Sequence, residues 1–93
     1  MGTRAIYEFD GELHYWQFDG YPDGALLAIL IGEFHQDHME KIDTIPGDIQ
    51  YRYEITGDRI IAYGLDDDWE WEEIFNGTKE EFIKKYRKEG IWK

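Results

Sequence analysis

Residues 66–75 constrain the fold more than any other stretch, because large aromatic side chains alternate there with carboxylates. Successive side chains of a β-strand point to opposite faces, whereas a helix would scatter both sets around its axis. A strand over residues 69–75 would therefore bury one face and leave the other to water or to a cation. The buried face would carry Trp69, Trp71 and Phe75, and the other face Glu70 and Glu72, with Asp66, Asp67 and Asp68 at the entrance.

The flanking segments predict four further strands and two helices. Alternating segments flank the dipeptide Asp10-Gly11 and Gly57, which are signals of tight hairpin turns. Thr78 and Glu81 form the pattern of a capping box, which marks the start of a helix. The strands are predicted over residues 5–9, 13–18, 49–55 and 59–63, the helices over about 25–38 and 78–89, and a loop over 40–48.

The resulting order ββ-α-βββ-α predicts an α+β fold. We expect one domain over residues 1–93, with a single antiparallel sheet of about five strands and two helices mostly on one face. The hydrophobic fraction of 42% and the aromatic fraction of 17% exclude a disordered chain and supply the apolar surface of one modest core.

Composition also predicts a soluble, cytoplasmic protein. The chain contains no cysteine, which is typical of a reducing compartment. Its start lacks a basic segment followed by an apolar run, so no signal peptide is expected. The longest apolar run, residues 25–31, is far shorter than the ~20 residues of a membrane span.

Acidic residues dominate the charge, which is −11 at pH 7. All but three of the 21 acidic residues lie in residues 1–77, together with only four of the ten basic residues. Such a surface repels nucleic acid and anionic membranes and is attracted to basic surfaces. We therefore expect neither direct nucleic-acid binding nor membrane binding.

The residue types argue against an enzyme. No serine or cysteine is present to form a nucleophilic triad, and no threonine lies in a strained glycine-rich turn. The glycine spacing fits no phosphate-binding loop, so no nucleotide cofactor is expected.

Three weaker patterns for metal binding or acid–base chemistry are better explained by ordinary surface roles. His35 and His38 offer two metal ligands but no evident third. The acidic residues 66–70 lack the spacing of an EF-hand loop. Asp19 and Asp23 form a carboxylate pair, but turn and helix-capping roles account for them equally well. We expect no metal and no catalytic residue.

The acidic row is the remaining functional signal. Residues on the same side of a strand lie ~6.6 Å apart, and each strand of duplex DNA presents one phosphate per ~3.4 Å. A row of this kind can occupy a basic groove built for nucleic acid, although an ordinary solvated face has the same composition. The candidate partner-binding residues are Asp66, Asp67, Asp68, Glu70, Glu72 and Glu73.

Two short motifs carry a resemblance to a known family. The chain opens Met1-Gly2-Thr3-Arg4 and carries an aromatic-Asp-Gly-Tyr-Pro-x-Gly motif in residues 15–24. Over its first third it resembles a family of small proteins from phages, prophages and bacteria. The resemblance implies a structural role for the motif, in which Arg4 pairs with Asp19 or Asp23 and Pro22 sets a sharp strand-to-helix turn. The motif residues are Arg4, Asp19, Gly20, Tyr21, Pro22, Asp23 and Gly24.

A phage origin would imply an inhibitor of host defence. In size and charge the chain is similar to the acidic anti-CRISPR proteins that mimic DNA, a likeness of context and not of motif. The leading hypothesis is a non-enzymatic inhibitor in the bacterial host cytoplasm, bound to a basic nucleic-acid-binding surface such as that of a Cas subunit. Two alternatives stay open. One is a small-ligand or metal-binding domain or enzyme that uses Tyr15, Asp19, Tyr21 and Asp23, and the other is a structural accessory protein that oligomerises through aromatic surface.

Overall fold

The computed structural model, which describes residues 3–18 and 20–89, has six strands and two α-helices in that part of the chain. The chain is therefore α+β, as predicted. The elements are β1 (Ala5–Phe9), β2 (Glu12–Trp16), α1 (Ala25–Leu30), a 3₁₀ turn (Gln36–His38), β3 (Glu40–Lys41), β4 (Tyr51–Thr56), β5 (Arg59–Leu65), β6 (Trp71–Thr78) and α2 (Lys79–Glu89).

All six strands form one sheet in the order β3-β2-β1-β4-β5-β6. The sheet is mixed, because β1 pairs with β4 in parallel while every other pairing is antiparallel. The expectation of a purely antiparallel sheet of about five strands was therefore wrong in these details. Residues 17–50 include α1 and lead the chain back to the end of the sheet where β1 begins, as a parallel pair requires. The extra strand β3 has only two residues, too few to show an alternating pattern.

Local signals place most of the element ends. The Asp10-Gly11 hairpin is confirmed, with φ of 51° and 91° at its two residues. The capping box is confirmed too, because Glu81 N donates to Thr78 Oγ1 at 3.1 Å and Thr78 N donates to Glu81 Oε1 at 2.8 Å. The first helix is shorter than predicted and ends at Leu30. Gly32 has a φ of 85°, a backbone conformation that stops a helix.

Both helices pack on one face of the sheet, as predicted. Leu26 of α1 and Phe82 of α2 share a core cluster with Tyr7, Tyr53 and Ile60, and all five side chains are fully buried. Burial of each such side chain stabilises the fold by about 1.5–3 kcal/mol. Within the described residues no helix combines the length and the apolar character needed to cross a membrane.

The acidic strand differs most from its prediction. It begins at Trp71, and Trp69 lies outside it in the turn that precedes the strand. Trp69 and Trp71 are 80% and 41% exposed, so the expectation that they anchor the core was wrong. Phe75 does face the core, where its ring meets Phe82 edge-on at 5.1 Å between centroids.

A β-bulge explains why the predicted faces were wrong. Phe75 pairs with Ala62 and Glu73 pairs with Tyr63, which leaves Ile74 as an extra residue between them. One inserted residue reverses which face each later side chain occupies. Glu73 and Trp71 consequently lie on the face away from the helices, whereas Glu72, Ile74 and Phe75 lie on the helix-bearing face.

Candidate functional site

Three chain segments meet at one end of the sheet and border an open cleft of about 540 Å³. They are residues 20–24 after β2, the start of β4, and the turn 66–70 between β5 and β6. The topology brings them together, because β1 and β4 are parallel and begin at the end where their antiparallel neighbours stop. We call this the loop-end cleft and define it by Tyr21, Tyr51, Asp66, Asp67, Trp69 and Glu72, all of which line it.

The turn 66–70 is held by the side chain of its first residue. Asp66 Oδ1 accepts hydrogen bonds from the backbone N–H of Asp68 at 2.8 Å and of Glu70 at 2.9 Å. Asp66 N donates to Glu70 O at 2.9 Å, which closes the turn. These bonds hold Trp69 at a φ of 62°, a conformation that costs a non-glycine residue about 1–2 kcal/mol. The side chains of Asp67, Asp68, Trp69 and Glu70 consequently project from a fixed backbone.

Two tyrosines line the cleft opposite this turn. Tyr21 is 53% exposed, and its ring lies 5.7 Å from that of Tyr51. The Tyr51 ring stacks in parallel on Tyr53, which is fully buried. Burial, and then the proximity of Tyr21 and Asp23, raises the pKa of the Tyr51 hydroxyl.

The Asp-Gly-Tyr-Pro-x-Gly motif positions Tyr21. Gly20 N donates to Thr3 O at 3.1 Å, and the hydroxyl of Tyr53 donates to Gly20 O. A Cβ atom at Gly20 would lie 2.5 Å from Thr3 O, so only glycine fits there. Gly24 N donates to Tyr21 O at 2.8 Å, which closes a turn around Pro22 directly before α1, as expected.

Two other expectations for the motif concern the partner of Arg4 and the residue that caps α1. Arg4 pairs with Asp48, with 2.7 Å between Nη1 and Oδ2. Asp19, one of its predicted partners, lies outside the described residues. The residue that caps α1 is Gly24, without a side-chain hydrogen bond, and not Asp23.

The structure brings five of the six predicted acidic residues to the same end of the sheet. Asp66, Asp67 and Glu72 line the cleft, while Asp68 and Glu70 belong to its turn. Glu73 lies apart, on the other face of the sheet opposite Tyr63. The other five acidic residues, which we call the acidic cluster, therefore lie in and beside the hairpin turn and not along the straight row that the alternation predicted.

No basic side chain neutralises this cluster within the described residues. The four basic residues of residues 1–77 all have partners elsewhere: Arg4 with Asp48, Lys41 with Glu12, Arg52 with Glu8 and Glu54, and Arg59 with Asn76. None of the ion pairs of the described chain involves a carboxylate of the loop-end cleft.

The histidines lie away from this cleft. His35 and His38 border a shallow depression beside Phe34. Across residues 3–18 and 20–89 no three histidine, aspartate or glutamate side chains, those of residues 66–72 included, lie close enough together to hold a metal ion. His14 is buried, and its Nε2 lies 3.1 Å from Glu12 Oε1. Hydrogen bonds from Lys41 and then from His14 lower the pKa of the Glu12 carboxyl.

Sequence reasoning missed Tyr51 and Trp69 as cleft residues. Tyr51 follows the alternation of a core strand, and Trp69 follows the aromatic alternation of residues 69–75. The run of three aspartates before Trp69 was the available signal, because aspartate is frequent in turns.

No protein-family model, curated protein or solved structure matches the chain.

Proposed function

We propose that this protein is a non-enzymatic inhibitor that binds a basic nucleic-acid-binding surface of another protein through the acidic end of its sheet. The observation that carries the proposal is the cluster of five carboxylates in residues 66–72, to which no described basic side chain is paired. A groove lined with lysine and arginine would meet these carboxylates in place of phosphate groups, and release of the groove's counterions would favour binding.

The rigidity of the turn supports the same function. Two hydrogen bonds to Asp66 fix the backbone that carries Asp67, Asp68 and Glu70, so little conformational entropy is lost on binding. The charge is concentrated at a hairpin tip, a shape that suits insertion into a groove. This geometry replaces the extended row of charges as the basis for DNA mimicry.

The nature of the partner rests on analogy. The resemblance to phage proteins, together with the small size and the charge of −11, favours a host defence complex such as a Cas effector subunit. The inhibitor would then act in the cytoplasm of the bacterial host.

A displacement assay with Cas effectors and their target DNA tests the proposal. The protein should displace DNA at low salt and less well at high salt, because screening weakens charge–charge contacts. Reversal of two cluster charges, Glu70→Lys with Glu72→Lys, should weaken displacement by at least about tenfold.

The matched control places the same change of charge elsewhere, as Glu33→Lys with Asp43→Lys. Both residues are exposed and form no ion pair with a described residue. The control should displace DNA nearly as well as the wild type. Equal displacement by the two double variants would contradict DNA mimicry by the cluster.

A small-ligand site is the second candidate, and the half-exposed Tyr21 ring in the loop-end cleft favours it. Tyr21 lines the cleft, but Tyr15 lines a different depression, together with Trp16 and Met39. The set of residues predicted for this alternative is therefore divided. Native mass spectrometry of the purified protein would detect a retained ligand.

A further inference from the structure

The loop-end cleft combines exposed aromatic rings with carboxylates, a pairing that selects one class of ligand. Tyr21 and Trp69 are large aromatic side chains, and both remain more than half exposed where they line the cleft. Exposed aromatic side chains around a concave site are typical of binding hot spots. The apolar part of the lining also includes Pro22, Leu65 and Ile74.

The charge of the cleft determines whether its ligand is a cation, an anion or neutral. Asp66, Asp67 and Glu72 line it, and no lysine or arginine does within the described residues. A neutral apolar ligand would desolvate the carboxylates of Asp67 and Glu72 without giving them a hydrogen-bond partner, which is costly. An anion would be repelled. The occupant that satisfies both the rings and the carboxylates is an organic cation with a flat apolar surface.

The register of the sheet places an aromatic ring and a carboxylate on either side of a glycine. Gly64 pairs with Tyr51 on one side and with Glu72 on the other, so the three residues form one row across β4, β5 and β6. Adjacent strands lie ~4.8 Å apart, so about 10 Å separates the backbones of Tyr51 and Glu72. Gly64 lines the cleft, and the Tyr51 ring and the Ile74 side chain lie over it, because a Cβ atom there would be 3.5 Å from Tyr51 Cε1 and 3.8 Å from Ile74 Cδ1.

We propose that the loop-end cleft binds one arginine side chain of the partner protein, with its guanidinium against the aromatic rings and paired with Glu72. The inference rests on the proposed function, because it names the side chain of the basic surface that enters the cleft. A guanidinium stacks on aromatic faces and donates two parallel hydrogen bonds to a carboxylate. A lysine ammonium does neither as well.

The test uses three capped tripeptides, Gly-Arg-Gly, Gly-Lys-Gly and Gly-citrulline-Gly, titrated into the ¹⁵N-labelled protein. Citrulline keeps the shape of arginine and removes its charge. The arginine peptide should shift the Trp69 indole resonance and the amide resonances of Tyr51 and Gly64. It should bind about tenfold more tightly than the citrulline peptide and more tightly than the lysine peptide.

Two isosteric variants separate the cleft from general acidity. Glu72→Gln should lower the affinity for the arginine peptide about tenfold. Glu73→Gln, on the other face of the sheet, should leave this affinity unchanged. The amide spectrum of each variant verifies that its fold is retained. Trp69→Ala, in an exposed turn, should weaken binding as well.

Several results would overturn the inference. They are equal binding of the arginine and citrulline peptides, lysine binding as tight as arginine binding, equal effects of Glu72→Gln and Glu73→Gln, or no shift at the cleft. DNA displacement that depends on Glu70 and Glu72 while the peptides fail to discriminate would reject the arginine site alone. Arginine-selective binding with no displacement of nucleic acid from any effector would reject the proposed function alone.

Discussion

Gly20 holds the start of β1, the buried Tyr53 and the cleft residue Tyr21 together. Its N–H donates to Thr3 O, its carbonyl accepts from Tyr53, and a side chain would collide with Thr3 O at 2.5 Å. The glycine is therefore required for close backbone packing, and it places Tyr21 beside the cleft.

Substitution of Gly20 by alanine should destabilise the protein by about 1–3 kcal/mol, because the backbone must shift to admit a methyl group. Urea unfolding measures the change. Gly47→Ala is the matched control, since nothing lies within 4 Å of its added Cβ, and it should change stability by less than about 0.5 kcal/mol. Similar losses in the two variants would contradict the packing role.

Tyr53 makes stability sensitive to alkaline pH. Burial, and then the neighbouring Tyr7 and Tyr51, raises its pKa well above the ordinary value. The folded state therefore favours the neutral phenol. The stability that this preference contributes is fully present below about pH 10. It is lost as the pH rises further, because only the unfolded chain ionises readily there.

Tyr53→Phe should lower the free energy of unfolding by about 1–3 kcal/mol at neutral pH, because the Gly20 carbonyl loses its hydrogen-bond donor. Above pH 10 the stability of the variant should fall less steeply than that of the wild type, by up to about 1.4 kcal/mol per pH unit. Denaturant unfolding from pH 8 to pH 11 measures both slopes. Tyr51 and Tyr63, whose pKa values are also raised, remain in both proteins. Equal slopes of stability against pH in the wild type and in Tyr53→Phe would contradict the raised pKa of Tyr53.

At the scale of elements, the turn 66–70 determines how the carboxylates are presented. Asp66 accepts from the backbone N–H groups of Asp68 and Glu70, so its carboxylate stabilises the turn. In the proposed function, Asp67, Asp68 and Glu70 would contact the partner. Loss of that acceptor should loosen the turn without affecting the core.

Asp66→Ala should destabilise the turn by about 1 kcal/mol. Asp66→Asn keeps the accepting oxygen, so it should destabilise the turn less. Hydrogen exchange of the Asp68 and Glu70 amides measures the local opening. Exchange should accelerate several-fold in the alanine variant and much less in the asparagine variant. Unchanged rates in Asp66→Ala would show that the turn does not depend on this side chain.

At the same scale, local signals were sufficient where neighbours in sequence form the structure. Asp10-Gly11 and the pair Thr78 and Glu81 predicted a hairpin and a helix start that the structure confirms. The bulge at Ile74 escaped prediction, because it exists only in the pairing of β6 with β5. A pattern within one strand carries no information about its partner's register.

At the scale of the whole molecule, the parallel pairing of β1 and β4 creates the candidate site. It brings together the segment after β2, the start of β4 and the turn after β5, which are distant in sequence. Composition and charge predicted a partner-binding role for six acidic residues, Asp66, Asp67, Asp68, Glu70, Glu72 and Glu73. The meeting of residues 66–72 with Tyr21 and Tyr51 is a tertiary arrangement that no local pattern encodes. In the proposed function, the charge of −11 would attract a basic partner at long range, and the cleft would supply the contact.

The most direct measurement is hydrogen exchange on the protein alone and in complex with an effector whose DNA it displaces. We expect protection concentrated in residues 66–72, at Tyr21 and at the start of β4, with little change in β2 and β3. Protection confined to the β2–β3 edge or to α2, with residues 66–72 exchanging as in the free protein, would contradict it.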